Sequence, residues 1–202
     1  MEMFENLEEE KKKRIINASL AEFSRKGFKD SSTNVIVSEA GISKGALFHY
    51  FGSKENLYQY LMTYSSEMIK KKVLENLPET DDLIELIRFL TKRKAILTST
   101  YPLMFEFYYS ILRERPDDPT FQQLVSQSME IMNRLISEQI DMSKFREGIS
   151  LEQVVEVCVW VSEGFARKYA QIHPQLEVDT MLQSAEELFD TLRVMLYKEE
   201  HV

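Results

Sequence analysis

Cysteine is almost absent from this chain, and its scarcity excludes several kinds of protein. Cys158 is the one cysteine among 202 residues, so an internal disulfide and a thiolate zinc cluster are both excluded. The three histidines (49, 173 and 201) lack the spacing of a metal site. We therefore expect no metal, no cofactor and a cytoplasmic protein, since reduced cysteine is usual there.

Long apolar runs and glycine-rich loops are also missing. No run reaches the ~18 apolar residues that a membrane span needs, so no membrane partner is expected. The acidic start, Met1 to Glu5, is unlike a signal peptide. The six glycines are scattered and form no phosphate-binding loop. We predict no catalytic residues, because no reaction is indicated.

Charge is distributed unevenly along the chain. The net charge is −8, which by itself argues against a nucleic-acid partner. Residues 11–56, however, carry nine lysines and arginines against four acidic residues, whereas residues 57–202 carry 16 basic and 24 acidic side chains. A basic segment followed by an acidic body suits a protein that contacts phosphate at one end only.

Strand patterns are nearly absent, and helical spacing of apolar residues predicts an all-α fold. A first helix is predicted from Leu7 to Lys26, with Gly27 as its stop. Thr33 and Ser43 are predicted to cap two short helices, and a long helix runs from Ser53 to about Leu77. Five further helices are expected after Pro78, with start signals that include Asp118-Pro119 and Ser150 to Gln153.

The segment from Thr33 to Phe51 is the most informative part of the chain. It predicts two short helices joined by a turn at Gly41, which is a helix-turn-helix arrangement. The apolar side of the motif (Ile36, Val37, Ala40, Ile42, Leu47 and Phe51) should pack on Ile16, Leu20 and Phe23. The opposite side of the second helix presents Ser43, Lys44, Ala46, His49 and Tyr50. A small, polar and basic face of this kind suits the DNA major groove.

In such a groove, Lys44 can donate to guanine or to phosphate, and Ala46 can lie against a thymine methyl. Gly45 permits close approach of the backbone to DNA. Ser43 is a further candidate for reading bases. The acidic and basic run from Glu8 to Arg14 is interpreted as a solvated helix face with ion pairs.

Residues 15–57 resemble the TetR-like family of transcriptional regulators. The resemblance rests on many spaced positions, among them Gly27-Phe28, Ala40-Gly41-Ile42-Ser43-Lys44-Gly45 and Tyr50-Phe51-Gly52-Ser53-Lys54-Glu55. Val37 and Phe48 depart from it, because the family often has alanine and tyrosine there. The resemblance implies that Thr33, Tyr50 and Lys54 contact phosphate. It also implies a dimer that binds a DNA operator, acts as a repressor and responds to a small-molecule effector.

The fold class expected is therefore an all-α protein in two parts. Residues 1–53 are predicted to be a three-helix DNA-binding head with a helix-turn-helix. Residues 54–202 are predicted to be a helical domain for effector binding and dimerisation, joined to the head by the long helix that starts at Ser53.

The last part of the chain indicates a homodimer. The segment from Val154 to Val161 is apolar nearly all round, and a helix of that kind is buried on two sides. The final helix carries an apolar stripe that is wider than one seam needs. A two-fold four-helix bundle satisfies both helices. The predicted interface residues are Val155, Val159, Leu188, Leu192 and Met195.

Aromatic and methionine side chains are concentrated between these parts. Each taken singly is most simply a core residue, but together some are predicted to line a cavity for a small apolar or amphipathic effector. The candidates are Tyr101, Phe105, Tyr108, Met132, Trp160, Phe165 and Tyr169. The main alternative function is a helical ligand-binding or interaction protein that lacks sequence-specific DNA binding.

Overall fold

Helices account for the regular structure of the chain. The computed structural model describes residues 2–172 and 178–202, and no β-strand occurs within these ranges, which confirms the all-α class. None of the helices in this described part has the length and apolar character needed to cross a membrane. The helices are α1 (Glu2–Glu5), α2 (Glu9–Asp30), α3 (Thr33–Ala40), α4 (Lys44–Phe51), α5 (Lys54–Leu74), α6 (Leu83–Thr100), α7 (Pro102–Glu114), α8 (Pro119–Gln139), α9 (Leu151–Ile172) and α10 (Val178–Leu196).

The chain divides into two compact units. The first unit comprises residues up to 72 together with 100–129, and the second comprises 73–99 together with 130–202. Each has its own apolar core. The first unit therefore combines the helix-turn-helix with α7 and the first half of α8, which are distant from it in sequence.

The core of the first unit is built on large aromatic rings. Phe23 of α2, Tyr58 of α5 and Phe107 of α7 are all buried. The Tyr58 ring meets the other two edge-on, with centroid distances of 4.9 and 5.0 Å. The predicted packing of the motif on α2 is confirmed, because Ile36, Ala40, Leu47 and Phe51 are buried in the same cluster as Ile16, Leu20 and Phe23. Burial of this apolar surface fixes α3 and α4 against α2.

The first predicted helix is corrected by the structure. Instead of one helix from Leu7 to Lys26, there is a short α1 and then α2, which continues past Gly27 to Asp30. Gly27 has φ +68° and ψ −179°, which is not a helical conformation, so the predicted stop at Gly27 is confirmed: a kink interrupts α2 there, and a second short segment continues to Asp30. Thr33 is also not the N-cap of α3: Ser32 occupies that position, and Thr33 is the first helical residue.

Three local start signals are confirmed. Ser43 Oγ accepts a hydrogen bond from the Ala46 amide at the start of α4. Asp118 Oδ1 accepts from the Thr120 amide at 3.0 Å, directly before α8. Ser150 and Gln153 form a reciprocal capping box at the start of α9, with bonds of 3.0 and 3.2 Å. In each case a polar side chain satisfies an amide that the helix cannot.

The second unit is held together at the end of α10. Tyr197 is fully buried, and its ring lies 4.3 Å from that of Phe145. Its hydroxyl donates to Asp82 Oδ1 at 3.0 Å, and Asp82 also pairs with Arg193 at 2.7 Å. The carboxylate that precedes α6 is thus bound to the C-terminal end of α10, about 110 residues later in the chain.

Candidate nucleic-acid interface

The turn between α3 and α4 is set by Gly41. Its φ of +65° and ψ of +41° lie in the left-handed region, which only glycine adopts without strain. Its amide donates to the carbonyl groups of Val37 and Ser38, and this closes α3. The sequence prediction of a helix-turn-helix with its turn at Gly41 is confirmed.

The second helix of the motif presents the predicted polar face. Ser43, Lys44, Gly45 and His49 are exposed, and Ala46 is half-buried. Leu47 and Phe51, on the other side, are buried in the core. A Cβ at Gly45 would find only Ser43 Oγ, 3.9 Å away, so the backbone here is open to an approaching molecule. The arrangement offers a groove-sized helix with a basic, small-residue surface.

Tyr50 lies at the edge of this face, between the exposed surface and the core. It is half-buried, and its ring lies 6.1 Å from His49 and 6.0 Å from Phe4. Lys11 of α2 places its ammonium 5.8 Å from the ring centre. The orientation of this side chain is therefore determined by residues of α1 and α2 as well as by its own helix.

The start of α3 offers backbone amides. Ser32 makes no side-chain capping hydrogen bond, so the first turn, which contains the predicted phosphate ligand Thr33, keeps amide groups that point outward. Thr33 itself is half-buried. A helix start without a side-chain cap attracts an anion through these amides and the helix dipole.

Lys54 has a role that the sequence prediction missed. Its ammonium donates to the carbonyl groups of Phe28, Lys29 and Ser31, at 2.7, 3.3 and 3.1 Å. It also lies 4.7 Å from the centre of the Phe28 ring. A lysine ammonium has three donors, and all three are engaged here. Lys54 therefore closes the C-terminal end of α2, and its contact with phosphate stays a prediction.

The sequence prediction also missed Glu22. This side chain binds the short segment between α2 and α3, which Lys54 binds as well. The side chain is 4% exposed, and its carboxylate accepts from the Ser32 amide at 3.0 Å and pairs with Arg25 at 2.5 Å. Burial alone would raise the pKa of Glu22, but the Ser32 and Arg25 hydrogen bonds hold it below its usual value. The spacing Ile15, Ser19, Glu22 on one helical stripe is the sequence signal that could have indicated this buried position.

The charged run before the motif forms ion pairs on the surface of α2. Lys12 pairs with Glu9 at 2.5 Å, and Lys13 pairs with Glu10 at 2.9 Å. This agrees with the interpretation of residues 8–14 as a solvated face. The pairing reduces the positive charge available to DNA from α2, so Lys44 is the most exposed candidate cation of the motif itself.

Comparison with known proteins agrees with this geometry. Residues 15–61 match the family model described as "Bacterial regulatory proteins, tetR family". Within this segment the chain is similar to that family. The match covers α2 from residue 15 onward, all of α3 and α4, and the first turns of α5. Helix α1 lies before it.

Relatives and solved structures extend the likeness beyond the motif. The chain is 28% identical over 85 residues to the HTH-type transcriptional regulator YxaF of Bacillus subtilis, which covers 42% of this chain and 44% of that protein. It is 25% identical over 172 residues to the HTH-type transcriptional regulator YdgC of the same organism, covering 79% and 81%. The chain thus spans less than half of the first relative's length and about four fifths of the second's.

A solved TetR-family regulator from Chloroflexus aurantiacus has the same fold. Its TM-score is 0.77 at 23% identity, with 98% of this chain and 99% of that chain covered. The likeness therefore includes both units, and the fold of a helix-turn-helix followed by further helices is shared along the whole chain.

The predicted dimer residues lie on α9 and α10. Val159 and Met195 are exposed at 45% and 64%, and Val155 and Leu188 are half-buried. Leu192 is 5% exposed and packs in the core of its own unit, so it offers little surface to a partner. The sequence could not separate Leu192 from its neighbours, because the stripe on α10 is apolar on both sides.

The predicted effector residues fall in both units. Tyr101, Phe105 and Tyr108 belong to the first unit, and Met132, Trp160, Phe165 and Tyr169 belong to the second. Phe105 and Tyr169 are buried, whereas Tyr108 is 40% and Trp160 66% exposed. In the second unit Phe165 and Tyr169 are brought together, with ring centres 5.8 Å apart. Trp160 lies on the exposed side of α9 beside Val159.

Proposed function

We propose that this protein is a transcriptional repressor that binds a palindromic operator as a homodimer and is released by a small apolar or amphipathic effector. The observation that carries the proposal is the face of α4, where Lys44 and its small neighbours are exposed on a helix anchored by Leu47 and Phe51. A rigid helix with a solvent-facing basic surface is what major-groove recognition requires.

Within this face the residues divide by role. Lys44 donates to guanine or to a phosphate, and Ala46 lies against a thymine methyl. Gly45 keeps the backbone close to the duplex. Ser43 already accepts the Ala46 amide with one lone pair of its hydroxyl, and its hydroxyl proton remains available to donate to DNA. His49 extends the polar surface by one further turn.

Phosphate contacts fix the position of the helix in the groove. We assign them to the amide groups of α3 near Thr33 and to Tyr50 at the end of α4. Lys54 supports this arrangement indirectly, because it holds the connector that leads into α3.

Two heads are needed because one short helix gives little affinity. We propose that the exposed and half-buried apolar side chains of α9 and α10 meet their symmetry mates in a four-helix bundle. These side chains are Val155, Val157, Val159, Trp160, Leu188, Val194 and Met195. Two heads spaced one or more helical turns of DNA, ~34–36 Å each, would then read the two halves of a palindrome.

The effector is proposed to bind in the helical domain of residues 54–202. The support is the concentration of aromatic and methionine side chains there, which form adaptable apolar surfaces. A ligand shifts operator affinity only by its differential affinity for two states of the protein. The expected result is therefore a graded loss of operator binding as the effector is added.

The decisive experiment is the retention of genomic DNA fragments by the purified protein. Fragments retained at 50 mM salt should be lost steeply as salt rises, by roughly 10³–10⁵ in affinity at 200 mM for ~6–10 phosphate contacts. Lys44→Ala should weaken binding to the operator more than binding to unrelated DNA. If no duplex is retained at any salt concentration, the alternative of a helical ligand-binding protein without DNA recognition replaces this proposal.

A further inference from the structure

The short helix α1 lies outside the part of the chain that matches the TetR family, yet it packs directly on α4, the proposed recognition helix. The family match begins at residue 15, whereas α1 spans Glu2–Glu5. Phe4 is fully buried in the core of the first unit. Met3, its neighbour, is 48% exposed. One side chain of this segment is therefore committed to the core.

Phe4 occupies an aromatic pocket formed by the end of α4 and the start of α5. Its ring centre is 4.7 Å from that of Phe51 and 5.3 Å, edge-on, from that of Tyr60. It is 6.0 Å from the ring of Tyr50. Phe51 and Tyr50 are the last two residues of the recognition helix, so Phe4 joins that end of the helix to α5.

Polar contacts hold α1 in place. The Tyr60 hydroxyl donates to Glu5 Oε1 at 3.0 Å, and Lys12 Nζ donates to the Glu5 carbonyl, also at 3.0 Å. Burial, together with the Glu5 carboxylate, raises the pKa of Tyr60, so the phenol stays protonated and remains a donor. The segment is thus bound to both α2 and α5 through Glu5, the residue after Phe4.

We propose that Phe4 is a positioning residue for DNA recognition: it fixes the end of α4 and thereby the placement of Tyr50 against phosphate. The proposal rests on the proposed operator binding. A direct contact of α1 with DNA is disfavoured, because Glu2 and Glu5 make the segment acidic and phosphate would repel it. The effect on DNA must then pass through the packing of Phe4.

The expected consequence is a loss of phosphate contacts without a loss of fold. Phe4→Ala should weaken the operator complex about tenfold and reduce the slope of log affinity against log salt by about 1.8, which is one phosphate contact per head. Met3→Ala is the matched control and should change neither. Phe4→Leu, which keeps most of the volume, should recover most of the affinity.

A double variant separates positioning from general destabilisation. Tyr50→Phe removes the hydroxyl proposed to reach phosphate. If Phe4 acts by placing Tyr50, the combination of Phe4→Ala with Tyr50→Phe should bind hardly more weakly than Phe4→Ala alone, because the contact is already lost. Additive losses, or an unchanged salt slope in Phe4→Ala, would overturn the proposal.

Two further measurements keep the test decisive. Hydrogen exchange of the free protein should show faster exchange in residues 44–51 of Phe4→Ala, with α9 unchanged. Equal exchange in both proteins overturns the inference whether or not DNA binds.

If Phe4→Ala does not fold, Tyr60→Phe takes its place, since it removes only the hydrogen bond to Glu5. Unchanged operator affinity and unchanged exchange in Tyr60→Phe would be contrary to the inference. Absence of operator binding by the unmodified protein would instead overturn the proposed function.

Discussion

The Glu114 side chain at the end of α7 lies against the bare Cα of Gly27 in α2. A methyl group at Gly27 would overlap the Glu114 carboxylate. Gly27 also has φ +68° and ψ −179°, a conformation that is open almost only to glycine. The Glu114 carboxylate thus occupies the space that a side chain at Gly27 would need, and α2 is kinked at the same residue.

Gly27→Ala is therefore expected to lower the free energy of unfolding. The backbone strain alone should cost about 1–3 kcal/mol, and the overlap with Glu114 adds to this cost. Adding Glu114→Ala should remove the overlap and restore that part of the free energy of unfolding, whereas the backbone strain at residue 27 should remain. Gly164→Ala, in α9, is the control, because nothing lies within 4 Å and a helical alanine should stabilise by about 0.5–1 kcal/mol. Urea unfolding measures all three variants against the natural protein, and a fully stable Gly27→Ala would contradict the assignment.

Substitution of Lys54 is expected to lower the stability of the protein, whereas substitution of Lys44 is expected to lower its affinity for DNA. Lys54→Ala removes three hydrogen bonds to the end of α2 and should lower the free energy of unfolding by about 1–3 kcal/mol. Lys44→Ala, at an exposed position, should change stability by no more than about 0.5 kcal/mol but should weaken operator binding. Denaturation and DNA titration of both variants decide the matter. Full stability of Lys54→Ala together with weaker DNA binding would restore Lys54 as a phosphate ligand.

Asp82 should make the stability of the protein depend on acid pH. Burial would raise the pKa of Asp82, but its bonds with Arg193, the Glu85 amide and Tyr197 lower it. Because the folded pKa lies below the unfolded value of about 3.9, the carboxylate stabilises the fold above that pH. This contribution is lost as pH falls through the folded pKa.

Asp82→Asn should therefore be less stable than the natural protein by about 1–3 kcal/mol at pH 7, and the difference should shrink below about pH 4. Thermal unfolding between pH 3 and pH 7 measures it. Asp81→Asn is the control, since Asp81 is 57% exposed and its pair with Lys144 should contribute less than about 1 kcal/mol. A pH-independent difference for Asp82→Asn would exclude this linkage.

The exposed side of α9 and α10 should control association. Trp160 and Met195 are 66% and 64% exposed, and lysine in both places should convert the proposed dimer into a monomer. Tyr109→Lys, at a 53% exposed position of α7, should leave the dimer intact. Sedimentation at several concentrations measures the mass. A monomeric natural protein, or a double variant that is still dimeric, would show that this face is not the interface.

Local signals were sufficient for much of the motif. Gly41 provides the left-handed turn, and Ser43 caps α4, so both follow from the properties of one residue and its near neighbours. The start of α8 at Asp118-Pro119 and the capping box at Ser150 were predictable for the same reason. The apolar side of α3 and α4 followed from spacing alone.

Contacts between distant residues were not predictable in this way. The family resemblance indicated Lys54 as a phosphate ligand, but its three carbonyl partners lie 23 to 26 residues earlier in the chain. Phe4 precedes the matched segment and has no periodic neighbours to mark it as core. The stop at Gly27 was predictable from that residue, but the short segment of α2 that follows it was not; Lys54 satisfies carbonyl groups at the C-terminal end of that segment.

By itself the sequence determined the helical class, the place of the turn and the exposed face of α4, because caps, glycine conformations and apolar periodicity act within a few residues. Only the tertiary structure decided which charged side chains serve the fold. Lys54, Glu22 and Asp82 are engaged by groups that lie 10 to 111 residues away in the chain, and whether a charge is solvated or bound depends on which groups the fold places next to it.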